Sequence, residues 1–440
     1  MAASVFSSAL YGQLFPTGEV GRLWTDSAEV RAMLLVEGAL AKVQGAQGVI
    51  PELSAAFIHR SSLEVQIDPA GLAEATGRNG VSVPALVSEF RKAMEAPEHA
   101  QFAHWGATSQ DIIDTALMLR LRQTLAVQRD TLVTMLKALG AQAETHAATP
   151  MVARTYGQHA TPTSWGAVLA QWGQPMVDAL DAMPRIKDTS LWVSLSGAAG
   201  TASALGPEAD ATRAGLAEAL KLGDPGRSWH TDRGPVLRIA DWMAQVVAGL
   251  AGLGHSAVAL AATECLDLNL SGAGSSSTMP QKQNPVGPSV LVALGHQMAG
   301  LRASLQESAA HQHQRDGAAW FTEWMVLPQV ALSCAAAINV ATSIVEGWSP
   351  NVDAMAAKFG GLGGAHAEAL SFALAARMTR PEAQTATKAL IADAIAQQKP
   401  LADVAYATYP DLPKDLFDPA AQLGAAPAQA RTFAQGVVAL

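Results

Sequence analysis

The sequence predicts an all-α protein with a central bundle of long helices and smaller helical N- and C-terminal domains. Three observations carry this. Leu117, Leu121, Leu125, Leu132 and Leu136 recur at spacings of four and seven, one face of a helix. Continuous β-branched runs of period two are nearly absent. Long apolar stretches alternate with turn-rich loops, and helices this apolar on more than one face must pack against one another.

The elements follow in order. Thr108-Ser109-Gln110-Asp111 is a capping-box-like start for a first long helix that runs to Pro150. Thr161-Pro162, an N-cap followed by proline at the first helical position, opens a second that continues to Asp188. A third spans Pro235 to Leu266, a fourth Pro285 to Ala310 and a fifth Trp320 to Trp348. The expected domains are 1–110, helical; 111–350, the long-helix bundle that carries oligomerisation and the active site; and 351–440, helical. Helices much longer than one domain diameter associate with copies of themselves, so an oligomer is expected.

Composition excludes several classes. Hydrophobic residues make up 49% of the 440, enough for a large core. The net charge of −9, with no basic run, argues against nucleic-acid binding. The N-terminal segment lacks the basic and apolar regions of a secretory signal. The most apolar stretch, Val246 to Ala262, is shorter than the ~20 apolar residues of a membrane span. A cytosolic protein without a membrane partner is expected, with Cys265 and Cys334 as buried thiols.

Five segments hold candidate chemistry. In the loop 271–285, glycines, serines, Lys282 and Asn284 suit an anion. His104, Thr108, Ser109 and Gln110 surround the predicted start of the first long helix, where hydroxyl, amide and backbone N–H groups bind carboxylates. Arg154, Thr155, Gln158 and His159 form a third group, in which Arg154 can fork onto a carboxylate. His230 and Arg233 form a fourth. His311, His313 and Arg315 form a fifth, in which no third ligand stands at metal-binding spacing from the two histidines. No P-loop, dinucleotide fingerprint or nucleophile elbow is present.

Ser276-Ser277-Thr278-Met279-Pro280-Gln281-Lys282-Gln283-Asn284-Pro285 resembles the SSxMPxKxNP signature of the fumarase/aspartase superfamily. The segments 104–116 and 154–163 resemble two further regions of it, in the right order, and the resemblance covers nearly the whole chain. It implies an all-α homotetramer whose active sites draw on three subunits. Tyr156 stands where most lyases of the superfamily carry a histidine that protonates the leaving group. An aromatic residue there, with Gln158 to Pro162, Trp229 to Arg233 and Glu323 to Pro328, is similar to the bacterial carboxymuconate cycloisomerase branch.

That branch implies a lactonising reaction, in which a substrate carboxylate adds across a C=C bond without cofactor or metal. The resemblance gives Ser276 the proton transfer, with Ser277 beside it and His159 as rival donor, and Lys282 the stabilisation of developing charge. Met279, Asn284 and Arg315 join the residues above in binding a di- or tri-anionic small molecule. Ser275, Gln281 and Gln283 replace the branch's usual Gly, His and Arg, so a sulfonated muconate stays open as substrate. An adenylosuccinate- or argininosuccinate-type lyase and a non-catalytic structural homologue are the remaining alternatives.

Overall fold

The computed structural model describes residues 4–271, 274–275, 279, 282–360 and 362–440. Among them are seventeen α-helices. The first six are short or of moderate length: α1 (Gly18–Leu23), α2 (Asp26–Ala46), α3 (Glu52–Glu64), α4 (Ala73–Asn79), α5 (Val83–Ala93) and α6 (Pro97–Ala100). The long α7 (Ser109–Thr145) follows, then a hairpin of β1 (Pro150–Thr155) and β2 (Gln158–Ser164), then α8 (Trp165–Asp188), α9 (Ala209–Leu220) and α10 (Gly234–Leu260). Three short strands, β3 (Leu268–Leu270), β4 (Gly274–Ser275) and β5 (Gln283–Asn284), precede α11 (Val286–Glu307) and α12 (Gly317–Gly347). The chain closes with β6 (Trp348–Pro350), α13 (Val352–Ala357), α14 (Ala367–Ala375), α15 (Arg380–Gln397), α16 (Leu401–Thr408) and α17 (Ala426–Val438).

The all-α expectation holds, and α7, α8, α10, α11 and α12 are its five long helices. The second begins later than the Thr161-Pro162 cue indicates. Those two residues lie in β2, and Ser164 Oγ accepts from the Ala167 N–H at the true helix start. Cross-strand pairing of Val152 with Pro162 and of Met151 with Thr163 overrides the local helix signal.

The chain divides into two compact units, each of three segments. The first is Met1–Thr131, Ala179–Ala248 and Ala293–Asn339. Its core gathers Met33, Leu34, Ile58, Leu86 and Phe90 with Ile112, Ile113 and Trp320. A second cluster there joins Leu40 to Val193, Leu195, Leu205 and Leu216. Close approach of α2 and α3 depends on Gly45, where an added Cβ would stand 2.2 Å from the Ala55 Cβ.

The second unit is Leu132–Asp178, Gly249–Val292 and Val340–Leu440. Trp165, Trp172 and Trp348 pack ring against ring at centroid distances of 5.4 to 6.2 Å. The Trp348 indole N–H donates to Gln142 Oε1 at 2.7 Å, which satisfies its one polar atom. β3 pairs with β6, and a separate apolar cluster joins Leu370 and Leu374 to Leu390, Leu401 and Val404.

α10 and α12 are long and apolar enough to cross a membrane by length and composition, but half and two-thirds of their most apolar windows are buried within the protein. Cys334 is wholly buried, as expected, and burial pushes its thiol well above the ordinary value. Cys265 differs: it is half-buried, and Arg154 Nη2 donates to its Sγ at 3.1 Å.

Gly45→Ala is expected to cost about 1–3 kcal/mol, since the two helices must separate to admit the methyl. Gly436→Ala in α17, where a Cβ meets nothing within 4 Å, is the control and leaves the melting temperature at or above that of the parent. Thermal melts of the two variants check this.

Candidate active site

The first turn of α7 is built around buried charge. Asp111 reaches back to accept the Thr108 N–H at 3.0 Å, one half of the capping box the sequence indicates. The same carboxylate accepts the Ser194 hydroxyl at 3.2 Å and the N–H groups of Ser196 and Gly197 at 2.9 Å each. His230 Nε2 lies 2.8 Å from Asp111 Oδ1. One turn on, Thr115 exchanges hydrogen bonds with the backbone of Ser194, donating at 3.0 Å and accepting at 2.8 Å. The loop 194–197 is thereby fixed along the head of the helix.

Asp114 continues the same face. Its two oxygens accept from Arg233 Nη1 and Nη2 at 2.8 and 3.0 Å. Glu323 takes Nε and Nη2 of the same guanidinium at 2.8 and 2.6 Å. All three side chains are wholly buried. Burial works against the arginine's charge, but the two carboxylates outweigh it and its pKa stands above the usual value. Arg233 is expected among the substrate-binding residues. The guanidinium is instead enclosed between two carboxylates with its ring-facing side on Trp229, 4.9 Å from the centroid, and presents no accessible surface.

Gln110 is buried beside this pair, and Arg315 Nε donates to its Oε1 at 2.8 Å. Arg315 Nη2 also faces Thr108 Oγ1 at 3.4 Å and the Ala198 carbonyl at 3.2 Å. Thr108 and Ser109 remain partly accessible at the helix N-terminus. His104 stands just upstream with φ +64°, its Nδ1 2.7 Å from Glu37 Oε1. Burial opposes the charged ring, but Glu37 outweighs it, and the His104 pKa is raised.

In the second unit, the segment 154–163 forms a hairpin rather than opening a helix at Thr161-Pro162. Tyr156 and Gly157 make its turn with φ of +52° and +74°, the positive pair of a two-residue hairpin. Arg154 pairs with His159 and Thr155 with Gln158 across the strands. Thr155, Tyr156, Gln158 and His159 are exposed at this tip. Arg154 leans back, with Nη2 2.7 Å from the buried Asp267 and 3.1 Å from Cys265 Sγ. Lys358 Nζ closes the other side of Asp267 at 2.5 Å.

Gly274–Ser275 pairs with Gln283–Asn284, so a short ladder closes the loop between them. Lys282 and Met279 are exposed on that loop, and the Lys282 N–H donates to the Met279 carbonyl at 3.0 Å. Asn284 borders a cavity of about 130 Å³ with Ser271, Pro288 and Trp348. Ser276 and Ser277 lie outside the described residues.

Sequence reasoning missed the buried acids. Asp114, Glu323 and Asp267 each hold an arginine that the motifs singled out. For Asp114 the signal was available: it follows Asp111 by three residues, the same face of the helix.

Comparison with known proteins gives this arrangement its class. The model of a family described as Lyase matches residues 16–300. The chain is 33% identical to the 3-carboxy-cis,cis-muconate cycloisomerase of Pseudomonas aeruginosa, over 99% of this chain and 97% of that one. It is 32% identical to the enzyme of the same name from Acinetobacter baylyi, over 90% of each. The crystal structure of the 3-carboxy-cis,cis-muconate lactonizing enzyme from Pseudomonas putida superposes with a TM-score of 0.90 at 30% identity, covering 98% of this chain and 99% of that chain. The chain belongs to this lyase family, the fumarase/aspartase superfamily.

The His104–Glu37 pair gives a pH prediction. A ring with a raised pKa supports the fold fully below its unfolded value of about 6.5, and that support is lost as pH rises through the folded value. Glu37→Gln should therefore lower the melting temperature more at about pH 5.5 than at about pH 9. An equal loss at both would mean that the ring is neutral throughout.

Proposed function

We propose that the chain is a 3-carboxy-cis,cis-muconate cycloisomerase, converting that diene to a carboxymuconolactone in the breakdown of aromatic compounds. One observation carries the reading: curated enzymes of this name match it nearly end to end, and a lactonizing enzyme matches its fold at a TM-score of 0.90. The helix N-terminus of α7, with Arg315 beside Thr108 and Ser109, is suited to a carboxylate of such a substrate.

In the reaction, a carboxylate oxygen of the substrate forms a C–O bond to an alkene carbon. The displaced electron pair moves to the neighbouring carbon and into its carboxylate, giving an aci-carboxylate. A proton then reaches that carbon, and the lactone results. Stabilising the developing charge is the largest demand on the protein. Lys282 and Asn284 meet it, with Met279 beside them. Ser276 delivers the proton, supported by Ser277, and His159 is the rival donor. Arg154, Thr155 and Gln158 orient the substrate from the hairpin, while His104, Gln110 and His230 hold the corner at the head of α7. The enzyme acts in the cytoplasm as a homotetramer whose sites are shared between subunits.

A second reading, lactonisation of a 3-sulfomuconate, is favoured by one feature. Gln283, exposed on β5, stands where the branch usually carries a cation.

The purified protein should abolish the absorbance of the conjugated diene of 3-carboxy-cis,cis-muconate, with 3-sulfomuconate run beside it. Lys282→Met removes the charge and keeps the stem. It should lower turnover about a hundredfold, the ~3 kcal/mol of a preorganised cation on a developing anion. The melting temperature should hold, because the side chain is exposed. Turnover within about threefold of the parent would remove Lys282 from the chemistry.

A further inference from the structure

Gln110 has no accessible surface, and both ends of its amide are in use. Nε2 lies 2.9 Å from the His230 carbonyl oxygen and 3.2 Å from Asp114 Oδ2. A carbonyl can only accept, and so can a carboxylate held by an arginine. The amide nitrogen must face these two acceptors, which leaves Oε1 to face Arg315 Nε at 2.8 Å. Nothing of the amide is left for a substrate.

Arg315 contrasts with Arg154, Arg213 and Arg233, each held by carboxylates. Among the described residues, none of the ion pairs includes Arg315. Its partners are neutral oxygens: the Gln110 amide, the Thr108 hydroxyl and the Ala198 carbonyl. They engage Nε and Nη2, and among the described residues Nη1 has no hydrogen bond. A guanidinium without a carboxylate partner among the described residues, fixed beside the N-terminus of a long helix, is placed to receive an anion.

We infer that Gln110 is a positioning residue, not a substrate contact: it aims Arg315, and Arg315 takes a substrate carboxylate through Nη1. The order of dependence runs outward from the core. Glu323 and Arg233 fix Asp114, Asp114 and the His230 carbonyl fix the Gln110 amide, and the amide oxygen fixes the guanidinium. The inference rests on the proposed cycloisomerase activity for the identity of the anion.

A double-mutant cycle tests it. Gln110→Met keeps the bulk and removes both ends of the amide, and Arg315→Met removes the cation. Each is expected to lower kcat/KM for 3-carboxy-cis,cis-muconate about tenfold or more, and the double variant should fall no more than about twofold below Arg315→Met alone. A Gln110 penalty that persists at full size in the Arg315→Met background would overturn the inference, since it would mean that Gln110 acts on the substrate or on the fold directly. A crystal structure of the Gln110→Met enzyme without substrate gives the second arm. The Arg315 guanidinium should have left Thr108 and Ala198, and finding it still in place overturns the inference whatever the substrate. Should Gln110→Met fail to fold, Gln110→Asn, which withdraws the amide by one methylene, replaces it in both measurements. A parent enzyme inactive on 3-carboxy-cis,cis-muconate defeats the proposed function and leaves the crystallographic arm to decide this inference.

Discussion

The Arg233 guanidinium, closed between Asp114 and Glu323, is the constraint on which the rest of the first unit's site depends. Such an arrangement adds little net stability over an apolar one. Removing three ions from water costs about as much as their attraction returns, and apolar side chains of similar volume would hold the helices together as well. What it supplies is position. A planar fork that bridges two carboxylates by four hydrogen bonds fixes α7, α10 and α12 at one point, to within the tolerance of those bonds. Asp111, one helical turn before Asp114, repeats the device with a loop in place of a helix: its oxygens gather the Ser196 and Gly197 N–H groups and the His230 ring. The accessible residues of the site, Thr108, Ser109 and Arg315, hang from this buried scaffold.

The candidate residues of the second unit are of a different kind. Thr155, Gln158, His159 and Lys282 project from a hairpin tip and a loop, exposed. The Tyr156 backbone is left-handed, a conformation that costs a residue with a Cβ about 1–2 kcal/mol, while its ring is fully exposed. Arg154 is anchored, and its anchor is again a buried acid, Asp267, shared with Lys358. Arg233 in the first unit and Arg154 in the second thus each stand against buried carboxylates.

The long helices were legible because their signals are repetitive. Apolar spacing along α7 extends over many turns, and no local conflict reverses it. The hairpin at 150–164 was not legible, for two physical reasons. Thr161-Pro162 carries the same local chemistry as a helix start, and only cross-strand pairing decides against it. Tyrosine is also not a residue that announces a turn with positive φ, so Tyr156-Gly157 offered half a signal. Within the candidate site, the motifs do not show which side chains are enclosed and which are accessible. Arg233 and Arg315 look alike in sequence, but two buried carboxylates enclose Arg233 and, among the described residues, none pairs with Arg315. The acids that make this distinction, Asp114 and Glu323, lie about 210 residues apart in the sequence and meet only through the fold.

A crystal structure with propane-1,2,3-tricarboxylate, a saturated tricarboxylate that cannot react, tests the central claim most directly: that the scaffold at the head of α7 exists to hold a carboxylate. The account predicts one carboxylate of the ligand within hydrogen-bonding distance of Arg315 Nη1 and of the Thr108 or Ser109 hydroxyl, with Arg233 still closed between Asp114 and Glu323. A ligand bound with Arg315 untouched, or with Arg233 drawn out of its carboxylates to meet it, would contradict the account.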